Sequence, residues 1–146
     1  MQTSETGKAL IRQSEGLCLT IKPDNKGPQI GYGHDLTPAE IASHTFIEGI
    51  TADEAEYLLD QDLANMVDPA VNRLAPQANQ NQHDALASFC YNLGPVRLAT
   101  MLHHGFDQAP LQMPAWVYAD VDGIEQKLLA LEARRAAEVK LFNTPC

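Results

Sequence analysis

The hydrophobic rhythm of this chain changes at Gly16 and again after Leu36. Before Gly16, Ala9, Leu10 and Ile11 supply the apolar contacts of a first helix that starts near Thr3 or Ser4 and runs to about Glu15. Gly16 suits the residue just past a helix end. Leu17, Leu19 and Ile21 then alternate with Cys18 and Thr20, the two-residue period of a short strand. The run Pro23-Asp24-Asn25-Lys26-Gly27-Pro28 is a dense turn signal, and Gln29-Ile30-Gly31-Tyr32 reads as the returning strand. A small hairpin or three-stranded sheet follows from this pattern.

After Leu36 everything reads as helix. Thr37-Pro38-Ala39-Glu40 and Thr51-Ala52-Asp53-Glu54 are two capping boxes, the first with proline at the opening helical position. The second opens a helix in which Ala55, Leu58, Leu59, Leu63, Met66 and Val67 recur at helical spacing, until Asp68-Pro69 breaks or bends it. Leu86, Phe89, Cys90 and Leu93 form one stripe between Gln82 and the stop at Gly94-Pro95. Short helices are expected over 95–104 and 110–119, and Ile124, Leu128, Leu131, Val139 and Phe142 outline a C-terminal helix. This order defines an α+β class, predominantly α-helical. No internal repeat is visible.

Composition narrows the picture. The 146 residues suit one globular domain, and 45% hydrophobic content excludes global disorder. No apolar run reaches the ~20 residues of a membrane span, so no membrane insertion is expected. The N-terminal residues lack an apolar signal core, which predicts synthesis in the cytoplasm without a secretory signal. Cys18, Cys90 and Cys146 are an odd set without metal-type spacing, and Cys90 sits in an apolar helical pattern as a buried small hydrophobe.

The net charge of −9 is concentrated in one segment. Residues 35–70 hold nine acids and no Lys or Arg, whereas residues 1–34 carry four bases against three acids. Nucleic acid is therefore a poor partner, since phosphate contacts need clustered cations. The acidic block reads first as a solvated helix face.

Two carboxylates stand out, on either side of the predicted strand. Glu15 ends a helix, where the macrodipole disfavours negative charge, and Leu17 and Leu19 follow it; both influences favour the protonated form that a general acid needs. Asp24 lies in the turn, where aspartate is common because it bonds turn amides; paired with Glu15 it becomes a candidate base or electrostatic partner. Two acids flanking a bond are what acid-catalysed glycoside cleavage requires. Asp62 falls on the apolar side of its helix and needs a partner if buried. His34, just past the hairpin, is the candidate, and their pairing would tie sheet to helix as structural support. Arg134, Arg135 and Glu138 form helical ion pairs, with one arginine a candidate to orient Glu15. Asn92 is either a turn residue or a sugar-binding amide. No metal motif, serine-hydrolase elbow or phosphate loop is present, so no cofactor or metal is expected.

Glu15-Gly16-Leu17-x-Leu19, Asp24, Gly27 and Ile30-Gly31-Tyr32-Gly33-His34 together resemble the signature of phage-type lysozymes, glycoside hydrolase family 24. The resemblance continues through Ile50-Thr51-x-Asp53-Glu54-Ala55-Glu56, Asp84-Ala85-Leu86-x-Ser88-Phe89-x-Tyr91-Asn92-x-Gly94 and Leu131-x-x-Arg134-Arg135-x-Ala137-Glu138. It implies a single two-lobed lysozyme-like domain over 1–146. Its lobes would span about 1–50 and 70–146, joined by a helix over about 51–68, with the active-site cleft between them. The implied activity is a cofactor-free muramidase that cleaves the β-1,4 bond between N-acetylmuramic acid and N-acetylglucosamine in bacterial peptidoglycan, acting at the periplasm and cell wall. Release would run through a holin, or through a secretion apparatus with an immunity protein. Carried over, Glu15 is the general acid and Asp24 its partner, with Tyr32, Asn92 and Arg134 as substrate-binding residues.

One position departs from the family pattern. Where the family places a threonine that positions the catalytic water, this chain has Gln29, in a turn one residue shorter. A glutamine amide also holds water. The readings that follow are hydrolysis, lytic transglycosylation by attack of the sugar's own 6-hydroxyl, or a peptidoglycan-binding module without activity.

Overall fold

The computed structural model describes residues 1–24 and 26–146, and its backbone forms two compact units. Unit one combines Met1–Ser14 with Leu63–Cys146, and unit two is Glu15–Asp62. The partition differs from the expected lobes of 1–50 and 70–146, because the first fourteen residues belong with the C-terminal helices. Their hydrogen bonds give the reason. Thr3 donates from its backbone N (3.0 Å) and Oγ1 (2.6 Å) to Asp68, and Ser4 donates from N to Asp84 at 2.8 Å. At Gly7 any Cβ would fall 2.9 Å from the Asp84 side chain, so glycine permits this close approach.

The helical unit contains most of α1 (Glu5–Glu15), a π turn (Leu63–Val67), α4 (Asp68–Leu74), α5 (Gln80–Leu93), α6 (Pro95–Leu102), α7 (Ala109–Gln112) and α8 (Leu129–Phe142). Residues 83–90 of α5 are all buried, so this helix is surrounded rather than amphipathic. Its polar residues are each answered. His83 pairs with Asp68 through Nε2 at 2.9 Å, and Ser88 donates to Glu138 at 2.7 Å. Burial alone would raise the Asp68 carboxyl, but the bonds from His83 and Thr3 outweigh it and hold the group below the usual carboxylate range. Cys90 is buried with its thiol pushed up to about 12 by desolvation, and all three cysteines are free.

The second unit contains Glu15 at the end of α1, β1 (Cys18–Asp24), β2 (Gly27–Gly31), β3 (His34–Asp35), α2 (Pro38–Ala42) and α3 (Ala52–Asp62). The three strands form an antiparallel sheet in the order β1-β2-β3. The strands extend further into the predicted turn than the sequence implied: Pro23 faces Pro28 and Asp24 faces Gly27. Two residues without an N–H share one rung, so the ladder loses donors at a single level. Of the turn prediction, Asn25 lies outside the described residues. Ile30, Ala55 and Leu59 are buried, with Gly31 close against Ala55. Both capping boxes have their reciprocal bonds, Thr37 with Glu40 and Thr51 with Glu54.

Two helical expectations need correction. The break expected at Asp68-Pro69 is a π turn over Leu63–Val67, after which α4 begins with Pro69 in its first turn, where no N–H is required. The helix expected over 110–119 shrinks to α7 and a 3-10 turn over Met113–Ala115, and the C-terminal helix begins at Leu129 rather than near Ile124, because residues 118–127 form a hairpin, β4 (Tyr118–Val121) with β5 (Ile124–Lys127). Asp122 (φ 53°) and Gly123 (φ 80°) form its two-residue turn, with Asp120 accepting from the Gly123 N–H at 2.7 Å. Asp-Gly between Val121 and Ile124 was the available signal, and the apolar spacing of Ile124 with Leu128 masked it. Among the described residues no helix is long and apolar enough to cross a membrane, and no group of His, Cys, Asp and Glu is placed to hold a metal ion.

Candidate active site

Glu15 is the last residue of α1, which Gly16 ends in the left-handed region at φ 70°. The glutamate side chain is half-buried and lies against the turn between β2 and β3. At Gly33 (φ 77°) an added Cβ would fall 2.7 Å from Glu15 Oε2 and 3.1 Å from its carboxyl carbon. Any side chain at 33 would therefore displace the carboxyl group. Glycine is needed there twice, for the backbone conformation and for the space.

The sheet gathers the other candidates on one face. Lys22 and Asp24 are two apart on β1, Gln29 lies opposite Lys22, and Asp35 lies opposite Gln29. Side chains of such residues point to the same side of a sheet. Asp24 is exposed and accepts a long hydrogen bond, 3.4 Å, from the Lys26 N–H. Gln29 donates from Nε2 to Asp35 Oδ1 at 2.7 Å. On the opposite, buried face are Ile30 and His34.

His34 is gripped from two sides. Its Nδ1 lies 2.8 Å from Asp62 on α3, and its Nε2 lies 3.1 Å from Glu40 on α2. A carboxylate at each ring nitrogen demands a proton on both, so the ring is an imidazolium. The bond to Asp62 is the main cause raising its pKa to about 9, against the opposing effect of burial, with Glu40 adding to the rise. The Glu40 carboxyl would be raised by its own burial, but bonds from the Thr37 backbone and His34 keep it below the usual range. Phe46 places its ring edge-on to His34 at 6.1 Å. The sequence suggested the His34–Asp62 contact but missed Glu40. The signal was there: the third residue of a capping box is fixed by its own bond to Thr37, and so faces what lies beside the helix start.

The remaining candidates lie in the helical unit. Arg134 is 5% exposed, with its guanidinium on Ser88 and Glu138 at 3.0–3.3 Å. These bonds engage the guanidinium within the helical unit. Asn92 accepts from Arg135 at 2.6 Å, and Arg135 also lies over the Phe89 ring and pairs with Glu138. Asn92 is thus tied to the same cluster between α5 and α8. Tyr32, half-buried in the turn beside Gly33, stays with Glu15 in the sheet unit.

A glutamate at a helix end over a glycine turn, a small acid-bearing sheet and a helical unit around a buried helix define a lysozyme-like α+β fold. The phage lysozyme family model matches residues 12–138. The muramidase domain of SpmX from Asticaccaulis excentricus is 34% identical, with a TM-score of 0.83 and 99% of each chain covered. A P22 lysozyme structure is 30% identical at a TM-score of 0.73, again covering 99% of each chain. Among curated proteins, the endolysin of an Acyrthosiphon pisum secondary endosymbiont phage is 31% identical, with 99% of both chains covered. The endolysin of Bacillus phage PZA is 35% identical over 99% of this chain, which spans 56% of that protein's length. The chain belongs to the phage lysozyme family.

Proposed function

We propose that the protein is a muramidase: it hydrolyses the β-1,4 bond between N-acetylmuramic acid and N-acetylglucosamine in bacterial peptidoglycan. The observation that carries this reading is the seat of Glu15, a half-buried carboxyl against Gly33 of the β2–β3 turn in a chain of the phage lysozyme family. In the proposed mechanism Glu15 delivers its proton to the leaving glycosidic oxygen as the bond to the anomeric carbon breaks. Asp24, on the exposed face of the sheet, opposes the developing positive charge and directs the attacking water. Tyr32, adjoining Gly33, is the proposed glycan contact. Arg134 and Asn92 have a different proposed part: they hold α8 on α5 and so keep the helical unit rigid.

Glu15→Gln tests the reading. It keeps size and polarity but removes the acidic proton, so release of muropeptides from purified peptidoglycan should fall by roughly a thousandfold or more, at the upper end of what general-acid catalysis contributes. Thermal unfolding should stay close to wild type. A folded Glu15→Gln protein that digests the wall at the wild-type rate removes Glu15 from the mechanism.

A further inference from the structure

The position where the family carries a water-holding threonine is filled here by a side chain whose orientation a neighbour dictates. Gln29 and Asp35 are direct cross-strand partners on β2 and β3, and the amide nitrogen donates to the carboxylate at 2.7 Å. A carboxylate at Oδ1 accepts and cannot donate, so the amide has one allowed orientation: Nε2 toward Asp35 and Oε1 turned away from it. Oε1 has no protein partner among the described residues. The same sheet face carries Asp24, one rung diagonal from Gln29. A carbonyl oxygen of fixed direction thus stands beside a carboxylate on an exposed face.

We propose that Asp35 is a positioning residue that locks the Gln29 amide so that Oε1 accepts a hydrogen bond from the nucleophilic water. The inference rests on the muramidase reading and adds to it how this chain holds its water without the family's threonine. In the step, Glu15 gives its proton to the leaving oxygen and the anomeric C–O bond breaks. The water oxygen bonds to the anomeric carbon, and the proton it sheds goes to Asp24. Gln29 is too weak a base to take that proton and serves only to aim the water. Solvent then returns a proton to Glu15 and removes one from Asp24. An amide free to flip would present N–H instead of C=O, leaving the water unheld and giving the muramic 6-hydroxyl time to attack. That route closes a 1,6-anhydro ring.

The experiment compares wild type, Asp35→Ala, Asp35→Asn, Gln29→Ala and the Asp35→Ala/Gln29→Ala pair on soluble uncrosslinked glycan chains. Kinetics are read together with mass spectrometry of the muramic ends. Asp35→Ala should lower kcat about tenfold with little change in KM, and raise the share of 1,6-anhydro ends. Asp35→Asn, which allows either amide orientation, should fall between. Combining Asp35→Ala with Gln29→Ala should cost no more than Gln29→Ala alone, because both act through one contact. If Asp35→Ala does not fold, as judged by circular dichroism, the Asp35→Asn comparison carries the same decision. Wild-type kcat and wild-type ends in a folded Asp35 variant overturn the proposal, as do additive losses in the pair. A wild-type protein that makes only anhydro ends overturns it as well. A wild-type protein that releases no muropeptide at all overturns the muramidase reading itself.

Discussion

The two units of this chain solve the same problem, holding charged groups in a folded interior, in opposite ways. The helical unit has nine acids against eight Lys and Arg, close to balance, whereas the sheet unit has ten acids against two lysines. In the helical unit the charges are buried opposite one another: Glu138 is fully buried between Arg134 and Arg135. Its apolar core is also large, running through Ile11, Val71, Leu86, Phe89, Leu98, Met101 and Met113. The sheet unit buries far less, chiefly Ile30, Ala55 and Leu59, and leaves Leu19, Ile21, Ile47 and Tyr57 exposed. Its α2, α3 and β3 converge on one imidazolium. Arginine stays charged at any ordinary pH, so the Arg134–Glu138–Arg135 contact keeps its cations throughout that range. Among the described residues of the sheet unit the buried cation is the His34 imidazolium, whose charge is lost as pH rises through about 9.

Three substitutions sharpen or break this contrast. The largest effect belongs to Glu138→Ala, which strands two buried guanidiniums; the expected loss is about 3–5 kcal/mol. Urea unfolding followed by Trp116 fluorescence should report that loss almost unchanged between pH 6 and 9. Strong pH dependence of the loss would mean that the Arg134–Glu138–Arg135 contact is not insensitive to pH.

His34→Asn should cost about 2–3 kcal/mol at pH 6, from the gap between 6.5 and about 9 with some allowance for the partly exposed carboxylates. The sign is fixed by linkage. The folded pKa lies above the unfolded one, so the contribution is complete below 6.5 and disappears as pH rises through about 9. Stability curves of wild type and variant should therefore converge on the alkaline side; parallel curves would show that the ring acts by packing alone.

Glu40→Gln is the smallest of the three, about 1 kcal/mol, because an amide keeps part of the capping bond to Thr37 and loses the charge beside His34. The Glu40 contribution is present above the ordinary carboxylate value of 4.5 and declines as pH falls through its depressed folded value. Together the two variants predict that the sheet unit is firmest between about pH 4.5 and 6.5. An NMR titration of the His34 ring in Glu40→Gln should find its midpoint lowered from wild type, and an unmoved midpoint would leave Asp62 as the single electrostatic partner.

Much of this architecture was legible from residues alone where local chemistry and pattern agreed. The two capping boxes, the Gly16 helix end, the small sheet and the burial of Cys90 all follow from short-range rules. The candidate pair Glu15 and Asp24 came from spacing around a strand. The sequence was less informative wherever a contact joined distant positions. Nothing near Thr3 or Ser4 signals that Asp68 and Asp84 hold them, so the grouping of residues 1–14 with the C-terminal helices is not legible from local sequence. Nothing local to Asp35 signals that it orients Gln29, since that relation exists only once β2 and β3 pair. The hairpin over 118–127 failed for another reason: its apolar residues fit both periods, and only the Asp-Gly turn separates them.

That hairpin also enters and leaves the helical unit at a single point. Leu128 N–H donates to Val117 C=O at 2.9 Å, so the chain is already closed across the base of β4 and β5 before either strand begins. Its strands are mostly exposed, and the Lys127–Glu132 pair at its foot is a surface contact. Foreign sequence placed at Asp122-Gly123 would therefore hang from a sealed stem. This makes the loop a natural port for grafting a peptide tag or a wall-targeting module without redrawing the enzyme.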